Sequence, residues 1–389
     1  MSPMASCSYM RNYFEFDSAD GGRMLPKRLV FTGGGTRCLV FVEALIVLEA
    51  AGVLERVEEY WGTSAGAFVA TLLALADSVG DVRKCMYATD YIKFRDIDVN
   101  NLLNINKSWG LDNGNSLIAE ITRIIELIRP GASAYLMSDI PNLTIVISDL
   151  STHEIVLCSA QTYPSLPVVD AIRASMSLPL FFRPYIHEES GHIWVDGAVG
   201  ANFPWGLLPS NADRYESLGF TFEHGSVKTP TTLSEYVFSM IHFEGPKKRK
   251  YLKENYPKNI IWFPNLPFPA WFMRLQPADF EMLESIGSTA AKEWLSTLTS
   301  LPLKAGGGLP SLGETETRTC APHSYLQCPP GKSGSSPSYE DRCNPSPRCP
   351  PHHTEQTLGN PKSSNPEPPR GSSPPQSHYT QPSYRRWSW

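Results

Sequence analysis

Trp61-Gly62-Thr63-Ser64-Ala65-Gly66-Ala67 sets a serine between two glycines, with a strand-like run before it and a strongly apolar, helix-like run after it. That spacing suits a catalytic nucleophile. A serine presenting its oxygen at the end of a strand sits on a sharp strand-to-helix turn, and Gly62 and Gly66 would let strand and helix approach closely enough to form the elbow. The following helix would aim free N–H groups and its positive end at the reacting centre. For the motif alone, a buried small-residue turn without chemistry is the plainer alternative.

Two further stretches complete a reacting centre. Leu29-Val30-Phe31-Thr32 reads as a short buried strand running into Gly33-Gly34-Gly35-Thr36-Arg37-Cys38, followed by an apolar helix over residues 39–51 that Gly52 stops. A glycine triplet between strand and helix leaves backbone amides free to point the same way, the construction of an oxyanion hole. A dinucleotide-binding loop is disfavoured, because Cys38 stands where G-x-G-x-x-G needs its third glycine. Downstream, His192-Ile193-Trp194-Val195-Asp196-Gly197-Ala198 is strand-like up to Asp196, and Gly197 turns the chain away. A carboxylate takes a serine proton only where burial raises its pKa, and Trp194 and Val195 supply such surroundings.

Strand, glycine triplet with a basic residue, helix, Gly-Thr-Ser-Ala-Gly and a distant Asp-Gly-Ala together resemble the patatin-like phospholipase family. The segment Ala171-Ile172-Arg173-Ala174-Ser175-Met176-Ser177-Leu178-Pro179-Leu180-Phe181-Phe182 adds to the likeness, which covers residues 25–300. The resemblance implies a three-layer α/β/α sandwich with a mostly parallel central sheet, and a Ser-Asp dyad that works without histidine. Carried over, Ser64 is the nucleophile, Asp196 its base, Gly33, Gly34 and Gly35 the oxyanion loop with Arg37 close by, and Gly197 and Ala198 the dyad turn. It also implies a phospholipase A-like hydrolase of glycerophospholipid esters in membrane or aggregated lipid, needing neither metal nor organic cofactor. Cys38 replaces the family's usual glycine; lying inside the helix, it should cost packing room rather than an oxyanion donor. An acyltransferase using the same acyl-enzyme, or a lipid-binding scaffold without catalysis, are the alternatives.

A Ser-acid-His order would need His224 or His242, but the glycine loop precedes the serine and the aspartate ends its strand in Asp-Gly-Ala. His187, His192, His224 and His242 lie in polar or turn-like runs and read as surface residues. The formal charge of −5 over 389 residues gives no broad basic surface, so nucleic acid is not an expected partner. Eight cysteines are scattered without a C-x-x-C pair, which suits reduced thiols. No secretory signal or membrane-length apolar run is read, so a cytoplasmic protein, peripheral at membranes, is expected.

The remaining elements frame this centre. Residues 1–24 read as a poorly ordered extension and 301–389 as a disordered Pro/Ser/Gly-rich tail, whose Pro-x-x-Pro spacings would suit an SH3- or WW-type partner. Ser116 and Glu120 suggest a capping box, and the isoleucines of 121–128 with Trp109 and Leu111 read as core packing, with a lid or a wall of the acyl pocket the alternative. Strands are expected at 143–147, 154–159, 218–222 and 259–263, and amphipathic helices at 233–243 and 280–295. Lys247-Lys248-Arg249-Lys250 reads as a solvated helix end, with anionic headgroups the alternative. Phe268, Trp271 and Phe272 are expected to pack or to wet into an interface.

Overall fold

The computed structural model describes residues 25–223 and 246–299, with four isolated positions between them at 229, 231, 236 and 239. The expected extension over 1–24, the tail over 301–389, His224, His242 and nearly all of the helix expected at 233–243 lie outside the described residues.

The strands are β1 Arg28–Phe31, β2 Glu59–Thr63, β3 Gly110–Asp112, β4 Leu143–Asp149, β5 Glu154–Ser159, β6 Leu180–Phe182, β7 Tyr185–Ile186, β8 Ile193–Asp196, β9 Ser217–Phe222 and β10 Ile260–Phe263. The central sheet runs β10-β9-β1-β2-β4-β8-β7, with β5 also paired to β4. From β10 to β4 every pairing is parallel, while β5, β7 and β8 join antiparallel. Parallel strands covered on both faces read as near-continuous apolar runs, and β4, Leu-Thr-Ile-Val-Ile-Ser-Asp, is buried throughout.

The helices of eight or more residues are α1 Leu39–Ala50, α2 Ala65–Leu75, α3 Val79–Tyr87, α4 Asn115–Ile128, α5 Val168–Ser175, α6 Pro246–Asn255 and α7 Pro277–Thr299. Side chains alternate across a strand, and the sheet obeys this. Leu29 and Phe31 face the larger core, with Phe41, Leu45, Val69 and Leu72 of α1 and α2 and Leu283 of α7. Val30, Trp61 and Ile260 face a thinner layer made by Phe203, Trp205, Leu208, Leu252 of α6 and Tyr256 just beyond it. The molecule is therefore a sandwich with unequal outer layers. Each fully buried Leu, Val or Phe contributes about 1.5–3 kcal/mol, which is why α2 can be apolar on all sides: Ala67, Val69, Ala70 and Leu72 are wholly buried.

Three local expectations are corrected. α4 starts at Asn115 behind Gly114 with no side-chain cap, so Ser116 lies inside the helix; Asp112 instead accepts the Gly114 N–H at 2.7 Å. Ile121, Ile124 and Ile125 are buried core, as the packing reading has them, whereas Trp109 is half exposed rather than packed in the core. His187 is buried rather than on the surface, stacked on Trp194 with ring centroids 4.2 Å apart. Phe268 packs inside, and Lys247, Lys248 and Lys250 stand exposed at the start of α6. Among the described residues, no helix is long and apolar enough to cross a membrane.

Candidate active site

Strand pairing brings the two motifs together. A strand has two edges; β5 occupies one edge of β4 over Thr144–Asp149, so β2 and β8 share the other. β2 faces Leu143–Val146 and runs parallel to β4, while β8 faces Ile147–Asp149 and runs against it. Their C-terminal ends therefore meet, and Ser64 and Asp196 lie at that meeting point.

Ser64 holds φ 55° and ψ −129°, a conformation that costs a non-glycine residue about 1–3 kcal/mol. Hydrogen bonds hold it there. The Ser64 N–H donates to Ser175 Oγ at 2.8 Å, and that hydroxyl donates to the Val146 carbonyl at 2.7 Å. The Ser64 carbonyl accepts the Ala67 N–H at 2.9 Å, opening α2 directly behind the serine. A Cβ on Gly62 would lie 2.5 Å from the Ala67 nitrogen, and one on Gly66 would strike the Thr32 and Phe31 carbonyls. Both glycines are therefore dictated by the close approach of strand and helix.

Ser64 Oγ donates to Asp196 Oδ2 at 2.7 Å. The other carboxylate oxygen, Oδ1, accepts the Ala198 N–H at 2.8 Å. The Asp196 N–H donates to the Ser177 carbonyl at 3.0 Å and the Gly197 N–H to the Ser175 carbonyl at 3.3 Å, so the end of α5 fixes the dyad turn. Burial pushes the Asp196 carboxyl up to about 7; the hydrogen bonds from Ala198 and Ser64 pull it down. A hydroxyl bonded to such a carboxyl can pass its proton to it near neutral pH.

The glycine loop faces the same point, with a division of labour the sequence did not reveal. The Gly33 N–H is committed to the Asn202 carbonyl at 3.2 Å, so Gly33 shapes the loop and is not a free donor. The amides of Gly34 and Gly35 have no hydrogen-bond partner among the described residues, and both glycines line the cavity beside Ser64. Gly35 has φ 58°, and a Cβ there would overlap the Ala270 carbonyl. Arg37 does not line the cavity. Its Nε donates to the Gly34 carbonyl at 3.3 Å, and its guanidinium lies 4.8 Å from the Phe222 ring centre. In a trans peptide, C=O and N–H point opposite ways, so this bond turns the Gly35 N–H away from Arg37. Burial lowers the Arg37 pKa and raises that of Cys38, whose Sγ lies 3.6 Å from the Thr32 carbonyl oxygen. Cys38 ends the 3-10 turn that leads into α1, consistent with a packing role.

The cavity over Ser64 measures about 570 Å³ including its mouth, and Met176, Leu178, Phe181, Phe182, Trp271 and Met273 make its apolar wall. Such a cleft accepts an extended apolar group. Among the described residues no histidine lines it: His187 Nδ1 pairs with Ser190 Oγ at 2.9 Å and His192 Nδ1 with Asp149 Oδ2 at 2.7 Å. Among the described residues, no three His, Cys, Asp or Glu side chains converge as a metal site. Sequence reasoning missed Ser175 and Asn202, both placed against the centre by tertiary contacts, and left Trp271 without its role as a wall.

An α/β sheet carrying a strained serine elbow against a buried aspartate defines a recognisable class of protein. Residues 29–209 match the family model described as patatin-like phospholipase. That match covers 181 of the 389 residues and supports a lipid hydrolase in general terms. It is 25% identical over 217 residues to the uncharacterized protein R571 of Acanthamoeba polyphaga mimivirus, covering 54% of this chain and 72% of that one. To the uncharacterized protein YqhO of Bacillus subtilis it is 27% identical over 259 residues, 60% of this chain and 86% of that one. Among solved structures it is similar to VipD from Legionella pneumophila, with TM-score 0.48 and 15% identity over 70% of this chain and 67% of that one.

Proposed function

We propose that the protein is a phospholipase A-like acyl hydrolase that cleaves carboxylic esters of glycerophospholipids through an acyl-enzyme on Ser64. The observation that carries this reading is the 2.7 Å hydrogen bond from Ser64 Oγ to the buried Asp196, at the floor of an apolar cavity. Ser64 Oγ attacks the ester carbonyl carbon while its proton passes to Asp196, and the Gly34 and Gly35 amides hold the oxygen that gains charge. The tetrahedral intermediate collapses; the C–O bond to glycerol breaks, and Asp196 returns the proton to the leaving alkoxide. Water then attacks the acyl carbon, giving its proton to Asp196, and the fatty acid leaves as Ser64 is reprotonated. The apolar wall takes the acyl chain.

The test is release of free fatty acid from phosphatidylcholine in mixed micelles, compared with a triacylglycerol emulsion. Wild type should release fatty acid from the phospholipid, and Ser64→Ala should fall to background while keeping the wild-type thermal transition. Full activity in a clean Ser64→Ala preparation would remove the mechanism, and activity confined to triacylglycerol would remove the substrate class.

A further inference from the structure

Asn202 lies at the reacting centre with its carboxamide unpaired. The residue is 8% exposed, lines the cavity with Ser64 and Asp196, and its Oδ1 is shut from solvent without a hydrogen-bond partner among the described residues. Its backbone carbonyl is engaged, accepting the Gly33 N–H at 3.2 Å and the Thr32 hydroxyl at 3.0 Å. The side chain enters on the glycine-loop side of the serine: a Cβ on Gly33 would lie 2.7 Å from Asn202 Oδ1 and 3.0 Å from Ser64 Cβ. The carboxamide fills the place where Gly33 would carry a side chain.

A buried amide left unpaired costs about 1–3 kcal/mol, so such a group in a site calls for a partner that arrives from outside. Of its two ends Oδ1 is the one shut from solvent, and among the described residues no hydrogen bond holds Nδ2, so the NH2 end is the one left for the cavity. There the group it would meet is the ester carbonyl oxygen, an acceptor that gains negative charge as Ser64 attacks. The loop needs such a donor, because the Gly33 amide is already engaged.

We propose that Asn202 is a catalytic residue, the third oxyanion donor, whose Nδ2–H bonds the carbonyl oxygen beside the amides of Gly34 and Gly35. This rests on the reading of Ser64 as nucleophile. Removing one such donor lowers kcat by about 10²–10³-fold. The loop anchors belong to the Asn202 backbone, so Asn202→Ala keeps them.

The experiment follows kcat and KM for a soluble fatty-acyl ester, together with the affinity for a long-chain alkyl trifluoromethyl ketone. Ser64 Oγ adds to that ketone, its proton passes to Asp196, and the C=O bond becomes the C–O⁻ of a hemiketal, which imitates the transition state. Asn202→Ala should lose about 10²–10³-fold in kcat with KM within a few fold, and its ketone affinity should fall in step with kcat/KM. Affinity for an ether-linked lipid, which has no carbonyl, should stay unchanged. If Asn202→Ala does not fold, the near-isosteric Asn202→Asp, which lacks the donor, must show the same loss of ketone affinity. A variant that keeps wild-type kcat, or loses activity without losing ketone affinity, overturns the assignment and leaves Ser64 as nucleophile. A folded wild type that forms no hemiketal overturns both.

Discussion

Thr63 and Asp196 face consecutive residues of β4, Val146 and Ile147, along the same edge. The dyad is thereby set by sheet register, with β2 and β8 ending against each other and Ser64 one residue beyond Thr63. A carboxyl on so fixed a support has little room to adjust. Asp196→Glu, one methylene longer, should lower kcat at least about 10²-fold, since a displacement near 1 Å is enough for such a loss. Turnover of a soluble p-nitrophenyl ester measures it, and wild-type-like kcat would show that the strands do not fix the distance.

Activity should depend on the ionisation of Asp196. Burial raises this carboxyl to about 7, and only the ionised form accepts the serine proton. The rate should climb as pH rises through about 7 and level off above it. A kcat/KM profile from pH 5 to 9 tests this; a flat profile across neutrality contradicts it.

The same burial predicts an effect on stability with a defined sign. Between the ordinary carboxylate range and about pH 7 the native protein holds a proton that the unfolded chain has released. Stability from this group is therefore greatest at low pH, falls as pH rises across that window, and stays low above it. Asp196→Asn cannot ionise, so it should be more stable than wild type at pH 8, by up to about 4 kcal/mol, with the difference vanishing near pH 4. Urea unfolding at the two pH values reads it directly.

Ser175 should matter more than its distance from the chemistry suggests. Its hydroxyl links the Ser64 N–H to the Val146 carbonyl, tying the strained elbow to β4. Ser175→Ala leaves both groups buried without a partner, at about 1–3 kcal/mol each. Unfolding free energy should drop by roughly 2–6 kcal/mol on this basis, and kcat should fall with the loosened elbow. A variant as stable as wild type would show that the elbow is held by its glycines alone.

The parts legible in the sequence were those governed by local chain chemistry. Gly62, Gly66 and the glycine triplet announce close backbone approach, and β5, β9 and β10 follow from short apolar runs between turn residues. Tertiary events were not legible. Nothing local distinguishes Gly33, whose amide binds Asn202, from Gly34 and Gly35, whose amides have no partner among the described residues. His187 looked like a surface residue because its neighbours in the chain are polar, yet folding β7 against β8 lays it on Trp194. Ser116 read as a cap with Glu120 as its partner, but Glu120 stands four residues on where a capping box needs three, and Gly114, held by Asp112, starts the helix first.

The most direct test of the central claim is intact-protein mass after exposure to a serine-reactive fluorophosphonate. The wild type should gain a single adduct, Ser64→Ala none, and Asp196→Asn an adduct that forms far more slowly, because the proton acceptor 2.7 Å from the hydroxyl is gone. A folded wild type that takes up no label, or a Ser64→Ala variant labelled as fast as wild type, would contradict the assignment of Ser64 as an activated nucleophile.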